Sequence, residues 1–164
     1  MGRLVSLAQA LGERQQLRQQ QKTAVFTNGV FDILHVGHVR YLQAARSLGD
    51  SLMVGVNSDA AARQLKGPDR PIVGQMERAE ILCALSSVDL VVIFDAQTAE
   101  SLVDVLQPDI YVKGGDYSDG RALPEASRVS RYGGRVVILP YTPGRSSTGM
   151  LERLLGQHCT SEGE

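Results

Sequence analysis

The sequence predicts a single doubly wound α/β domain built on a five-stranded parallel sheet. Short runs of Val, Ile and Leu alternate along the chain with stretches whose apolar residues recur at helical spacing. The apolar runs are continuous, which is typical of parallel strands that are covered on both faces. With 164 residues, the chain has the usual length of one domain and can bury a core.

The predicted strands are short and bounded by turn residues. They cover residues 23–27, 52–56, 90–94, 109–112 and 135–139. The first strand stops at Asn28 and Gly29, and the pair Gly133 and Gly134 turns the chain into the last one. Right-handed crossovers between such strands produce a Rossmann-like sheet.

Helices are predicted between the strands. They cover residues 37–48, 77–85, 99–106, 123–131 and 147–155. Before the first strand, residues 1–22 form a helical stretch with sparse leucines and a Gln/Arg-rich remainder, expected to pack on a domain that spans 23–156. Residues 157–164 are a polar tail.

Charge and composition exclude several classes of function. With 17 basic and 18 acidic residues, the formal net charge is -1, so no overall field attracts nucleic acid or anionic lipid. No apolar run reaches the ~18 residues of a membrane span, and no signal-peptide pattern opens the chain. Cys83 and Cys159 lack metal-site spacing, which favours free thiols and a cytoplasmic protein. Because the net charge is near zero, any anion-binding site must depend on a local group of residues.

The loops that follow the strands are the expected ligand-binding region. Ligands of doubly wound sheets bind beyond the carboxyl ends of strands, where the strand order reverses. Four loops of this kind carry polar residues and glycines, at residues 27–38, 57–71, 113–117 and 141–148.

The first of these loops contains two histidines. His35 and His38 are three residues apart, around Gly37, where a helix is predicted to begin. Residues at this spacing share a helix face, and the free N–H groups and the dipole of a helix start favour an anion. Gly29 allows a close approach to the backbone, and Asp32 either caps the turn or orients a histidine. An isolated histidine pair of this kind more often has a structural role, and a zinc site would need further ligands. The residues around the pair therefore decide between these interpretations and an anion site.

Residues 26–38, Phe-Thr-Asn-Gly-Val-Phe-Asp-Ile-Leu-His-Val-Gly-His, resemble the signature of the cytidylyltransferase-like nucleotidyltransferase superfamily. In that superfamily, the His-x-Gly-His element binds phosphates during nucleotidyl transfer. Residues 55–59, 65–67, 70–71, 112–117 and 146–148 look like the adenylyltransferase part of ADP-heptose synthesis, and the resemblance covers residues 4–155. It implies transfer of AMP from ATP to D-glycero-D-manno-heptose 1-phosphate, with release of pyrophosphate.

The resemblance also implies three sets of site residues. The catalytic set is His35, His38 and Lys66. The nucleotide-binding set is Thr27, Asn28, Gly29, Phe31, Gly37, Asn57, Arg145, Ser146, Ser147 and Thr148. The sugar-phosphate-binding set is Lys113, Gly114, Asp116, Asp32, Arg70 and Arg78. Arg78 is explained equally well as part of the polar face of its helix.

Magnesium is the expected cofactor, because a triphosphate leaves as pyrophosphate. Mg²⁺ commonly keeps its waters and binds through substrate phosphates, so no residue is assigned as a metal ligand. The expected partners are ATP and a sugar 1-phosphate. In the family, a sugar-kinase domain often precedes this one, so the chain looks like a free-standing adenylyltransferase that depends on a separate kinase and phosphatase. The sequence is compatible with a homo-oligomer.

Other functions stay open on the sequence. A cytidylyltransferase acting on glycerol 3-phosphate or a related phosphate, and a pantetheine-phosphate adenylyltransferase, share the superfamily. Residues 113–117, together with Asn28 and Gly29, favour the heptose phosphate. A non-catalytic nucleotide-binding module is disfavoured by the intact His-x-Gly-His element and Lys66. An interaction protein built on the first helix is disfavoured because its leucines sustain no heptad pattern.

Overall fold

A computed structural model describes residues 1–115, 123–140 and 151. The strands are β1 (Arg3–Leu4), β2 (Ala24–Gly29), β3 (Ser51–Asn57), β4 (Leu90–Phe94), β5 (Ile110–Gly114) and β6 (Arg135–Leu139). The helices are α1 (Leu7–Gln19), α2 (Val36–Arg46), α3 (Asp59–Lys66), α4 (Gln75–Ala84), α5 (Glu100–Leu106) and α6 (Ala126–Arg131). The predicted helix 147–155 and the tail 157–164 lie outside the described residues, apart from Leu151.

The strands form one parallel sheet in the order β1-β4-β3-β2-β5-β6. From β2 the chain steps outward to β3 and β4, and then crosses back to place β5 on the other side of β2. The strand order therefore reverses between β2 and β5. Their carboxyl ends flank the crevice in which a doubly wound sheet binds its ligand.

The doubly wound α/β architecture is confirmed, but the sheet has six strands and not the predicted five. The additional strand, β1, is only two residues long and lies on the outer edge of β4. Arg3 N–H donates to Asp89 O and Val5 N–H to Val91 O. Both residues of β1 are exposed, so the sequence contains no apolar run that would predict the strand. Ser6 then caps α1 through Gln9, which moves the helix start beyond Leu4.

Helix α3 lies inside the segment 57–71, which the sequence indicates as a loop. Ser58 caps its first turn by accepting from Ala61 N–H. The side chains that this helix buries, Ala61 and Ala62, are small, so the segment lacks the large apolar residues that mark a helix in a sequence.

Apolar side chains cover both faces of the sheet. One face packs against α2 and α4, around Leu42 and Leu82. The other packs against α1, α5 and α6, around Leu102, Leu106 and Val129. Burial on both faces explains why the strands read as continuous apolar runs.

Helix α1 is fastened to the amino end of the sheet by Arg14, which is 2% exposed. Its guanidinium donates to Gln107 O and to Asp109 Oδ1, at 2.9 and 2.7 Å. Asp109 Oδ2 in turn accepts from Ala24 N–H at the start of β2. The N-terminal helix thus packs on one face of the sheet. No helix in the described ranges is long and apolar enough to cross a membrane.

Candidate active site

The two predicted histidines open helix α2 beside the crevice. His35 is the N-cap residue, and its Nδ1 accepts from Gly37 N–H at 3.1 Å. His38 Nδ1 accepts from His35 N–H at 3.3 Å. The two side chains thus form a reciprocal capping box at the start of α2. The rings stack with their centroids 4.0 Å apart. The Gly37 amide, expected to be free for a phosphate, is therefore taken up by His35.

These contacts fix the tautomer of each ring in its neutral form. Because each Nδ1 accepts a backbone N–H, the proton of the neutral imidazole lies on Nε2. Burial, together with the neighbouring His35, lowers the pKa of His38 to about 4. At neutral pH His38 is thus an uncharged ring with a donor on Nε2.

The aromatic residue ahead of the histidines supports them. The Phe31 ring meets the His38 ring edge-on, at 5.7 Å between centroids, and is 7% exposed. The backbone of Phe31 has a φ of 52°. A Cβ at Gly29 would come within 3.2 Å of this ring, so glycine there makes room for Phe31. The side chain of Phe31, a predicted nucleotide contact, instead packs against His38.

Asp32 anchors a second loop. Its carboxylate accepts from the N–H groups of Ile72 and Val73 at 3.0 Å and pairs with Arg70 Nη2 at 2.6 Å. The Asp32 side chain is 2% exposed. Its oxygens are buried and engaged within the protein, which disfavours the predicted contact with the sugar phosphate. Arg70, from the same predicted set, pairs with this carboxylate.

Arg78 lies under the site and is 1% exposed. Its guanidinium donates to the carbonyls of Val73, Val30 and Asn57 and to Asp59 Oδ1. The predicted polar, solvated helix face is wrong, and the internal bonds of Arg78 disfavour the predicted phosphate contact. Arg78 ties the carboxyl ends of β2 and β3 to helices α3 and α4.

Two predicted nucleotide contacts also use their side chains within the fold. Thr27 Oγ1 lies 2.7 Å from Tyr41 Oη, and that hydroxyl donates to Val112 O. Asn57 donates from Nδ2 to Ala96 O at 2.7 Å. Both side chains hold strand ends together beside the crevice.

A polar network lies at the crevice itself. Asn28 Oδ1 accepts from Tyr111 Oη at 2.6 Å and from Lys113 Nζ at 2.9 Å. Burial lowers the pKa of Lys113, and the nearby Glu125 carboxylate acts in the opposite direction. The structure thus brings the predicted residues Asn28 and Lys113 together, with Gly114 next along β5.

Tyr111 and Glu125 were not predicted as site residues. Tyr111 stands two positions before Lys113 on β5, so strand alternation puts both side chains on one face of the sheet. That spacing was the available signal for Tyr111. Glu125 accepts from Ala99 N–H at 2.9 Å and is 2% exposed, and no sequence pattern marks it.

Lys66 is the last residue of α3 and is exposed. Gly67 follows with a φ of 101°, a conformation that glycine adopts without strain. The predicted catalytic lysine therefore stands at a helix end rather than within a loop. In the described part of the chain, it forms no hydrogen bond or ion pair.

The remaining predicted residues cannot be placed. Asp116, Arg145, Ser146, Ser147 and Thr148 lie outside the described residues. Among the residues that are described, no group of three or more His, Cys, Asp or Glu side chains is arranged to hold a metal ion.

A parallel doubly wound sheet with a His-x-Gly-His element at its switch point is typical of the nucleotidyltransferase superfamily. The cytidylyltransferase-like family model matches residues 26–147, and the chain belongs to this family.

Two bifunctional proteins are similar to this chain over most of its length. The chain is 54% identical over 141 residues to the bifunctional protein HldE of Syntrophotalea carbinolica, covering 86% of this chain and 29% of the relative. It is 53% identical over 139 residues to the HldE protein of Geobacter sulfurreducens, covering 84% and 28%. The chain thus spans less than a third of the length of these relatives.

Solved structures agree with the fold. A lipopolysaccharide core biosynthesis protein from Thermoplasma volcanium is 30% identical with a TM-score of 0.58, covering 74% of this chain and 97% of that one. A pantoate-beta-alanine ligase from Francisella tularensis has a TM-score of 0.62 at 14% identity, covering 90% and 69%. The second likeness shows the fold alone.

Proposed function

We propose that this chain transfers AMP from ATP to D-glycero-D-manno-heptose 1-phosphate, forming ADP-heptose and pyrophosphate. The observation that carries the proposal is the stacked pair His35 and His38 at the start of α2, beside the crevice that holds Lys113. The HldE relatives support it, as does the solved lipopolysaccharide core biosynthesis protein.

The chemistry asks the protein to hold two anions in line. An oxygen of the sugar phosphate attacks the α-phosphorus of ATP, a new P–O bond forms, and the bond to the leaving pyrophosphate breaks. No covalent nucleophile is needed, so catalysis consists of positioning and charge stabilisation. The Nε2–H groups of His35 and His38 are the donors that we assign to the reacting phosphates. Lys113 is the cation assigned to the sugar phosphate or the α-phosphate.

Magnesium is part of the proposal as a substrate-borne cation. When bound, it neutralises charge on the departing pyrophosphate. Because Mg²⁺ commonly keeps its waters and binds through substrate phosphates, we assign the cation to the nucleotide phosphates and to no protein ligand. Lys66, exposed on the last turn of α3, is the side chain that we assign to those phosphates from the protein side.

The test is pyrophosphate release from ATP and from CTP, each with a panel of sugar and alcohol phosphates. We expect release with ATP and heptose 1-phosphate, and background release in a His35→Ala, His38→Ala double variant. Release with CTP and glycerol 3-phosphate alone would reassign the chain to cytidylyl transfer. An absence of release with ATP and every heptose phosphate would refute the proposal.

A further inference from the structure

Three polar side chains share one face of the sheet at its switch point. Asn28 belongs to β2, and Tyr111 and Lys113 belong to β5. Phe26 is paired with Tyr111 in the register, so Asn28 and Lys113, each two residues further on, lie side by side. Tyr111 is fully buried and Asn28 is 8% exposed.

The directions of the hydrogen bonds among these groups are determined. An ammonium can only donate, so Lys113 Nζ donates both to Asn28 Oδ1, at 2.9 Å, and to Tyr111 Oη, at 3.2 Å. The Tyr111 hydroxyl must then donate its own proton to Asn28 Oδ1, at 2.6 Å. Asn28 Oδ1 thus accepts twice, which fixes the orientation of its amide.

This arrangement holds the ammonium in one place. Two of its three donors point at acceptors that are themselves hydrogen-bonded to each other. Within the described residues, the third donor has no hydrogen-bond partner, and it remains for an anion at the crevice. The charged group that faces Lys113 from another described element is Glu125, ahead of α6.

We propose that Tyr111 is a positioning residue of the nucleotidyltransferase site, whose hydroxyl, together with Asn28, holds Lys113 Nζ against the substrate phosphate. The inference rests on the proposed function for the identity of that phosphate. Burial lowers the pKa of Lys113 and the Glu125 carboxylate raises it, and hydrogen bonds to the two oxygen acceptors also favour the charged form.

The substitution Tyr111→Phe isolates the role of the hydroxyl. The ring stacks on Phe26 at 6.0 Å between centroids, and phenylalanine keeps that contact. The substitution removes the acceptor for Lys113 and the donor to Asn28 that the described residues show. The matched control is Tyr41→Phe, which removes a hydroxyl that joins Thr27 to Val112 O on the same two strands and makes no bond to Lys113 in the described structure.

Two measurements test the proposal on the whole chain. The first is the titration of the Lys113 side-chain NMR signal without substrate, assigned by its disappearance in Lys113→Arg. The second is kcat/KM for the sugar phosphate as a function of pH. In Tyr111→Phe we expect the Lys113 midpoint to fall, the alkaline limb of the profile to move to lower pH, and kcat/KM at neutral pH to drop on the order of tenfold.

The outcomes separate the two proposals. A Lys113 midpoint in Tyr111→Phe equal to that of the wild type would overturn the positioning role, as would an equal fall in Tyr41→Phe. A wild-type chain that releases pyrophosphate from no substrate pair would refute the proposed function. The titration needs no substrate, so it still decides whether Tyr111 governs Lys113.

Discussion

His38 acts as an uncharged hydrogen-bond donor at neutral pH, and its surroundings explain why. The Nδ1 of each site histidine is occupied by a backbone N–H, and burial beside His35 holds the pKa of His38 near 4. A donor of this kind contributes most where negative charge grows, which is in the transition state. Lys113 and Lys66 are candidates for the positive charge that an anionic substrate requires.

The first prediction concerns His38→Ala. We expect kcat to fall by roughly 10²–10³, the usual loss for one donor to a developing charge, with the KM for ATP changed little. Steady-state pyrophosphate release measures both constants. A variant with normal kcat and a raised KM for ATP would show that His38 binds the ground state and the transition state equally.

The second prediction concerns stability and pH. The pKa of His38 is about 4 in the folded chain and near 6.5 when unfolded, so the unfolded state binds more protons between these values. The contribution of His38 to stability is therefore full above pH ~6.5 and is lost as the pH falls towards 4. Urea unfolding at pH 7, 6 and 5 should show a steeper loss in the wild type than in His38→Gln. Parallel losses in the two proteins would contradict this assignment.

At the scale of single residues, the sequence indicates the chemical type of a side chain better than it indicates which groups that side chain contacts. The His-x-Gly-His element and the lysine at a strand end lie where the strand order reverses. The burial of Asp32 and Arg78 is missed because a charged residue in a sequence carries no sign of its burial. Both are almost fully enclosed and bind backbone groups of other segments. Such long-range pairings depend on how loops meet, which local patterns do not record.

Elements are predictable to the extent that they bury large apolar side chains. The residues of β4 and β6 coincide with the predicted strands 90–94 and 135–139. β1 and α3 escape prediction, because one is two exposed residues and the other buries only alanines. Their positions are set by tertiary contacts, with β1 fixed by the edge of β4 and α3 by the cap at Ser58.

The third prediction concerns the segment that Asp32 anchors. Asp32→Asn leaves Arg70 without its charged partner and weakens the bonds to Ile72 and Val73. We expect a loss of about 3 kcal/mol in the free energy of unfolding, as for other broken buried pairs. Urea denaturation measures it. The control is Asp50→Asn, where an exposed carboxylate accepts from Thr23 N–H and the loss should stay below ~1 kcal/mol. Equal losses would contradict an anchoring role for Asp32.

Over the whole molecule, the N-terminal helix is coupled to the sheet by one buried cation. Arg14 spans 95 residues of sequence to reach Asp109, and Asp109 also binds the first residue of β2. α1 is thereby joined to the amino ends of the two strands whose carboxyl ends flank the crevice. The sequence pattern identifies α1 as a polar helix. Its contact with Asp109 through Arg14 is visible only in the assembled structure, because the two residues are 95 positions apart.

The fourth prediction tests this coupling. Arg14→Gln removes the pair with Asp109, which is half-exposed, so we expect a loss of about 2 kcal/mol in the free energy of unfolding. Arg3→Gln removes a surface pair with Glu13 and should cost less than ~0.5 kcal/mol. Thermal and urea unfolding compare the two variants. A loss in Arg3→Gln as large as that in Arg14→Gln would contradict the buried anchor.

The return of β5 to the side of β2 also bears on how the chain folds. β2, β3 and β4 are neighbours in both sequence and sheet, whereas Asn28 and Lys113 meet across 85 residues. Closing so long a loop is entropically costly, so local strand pairs should form early and the crevice late in folding. The segment that carries His35 and His38 can therefore form before β5 brings Lys113 beside β2. A nucleotide that binds between these histidines and Lys113 requires the complete sheet. Its binding energy therefore stabilises the chain against global unfolding rather than against the fraying of one element.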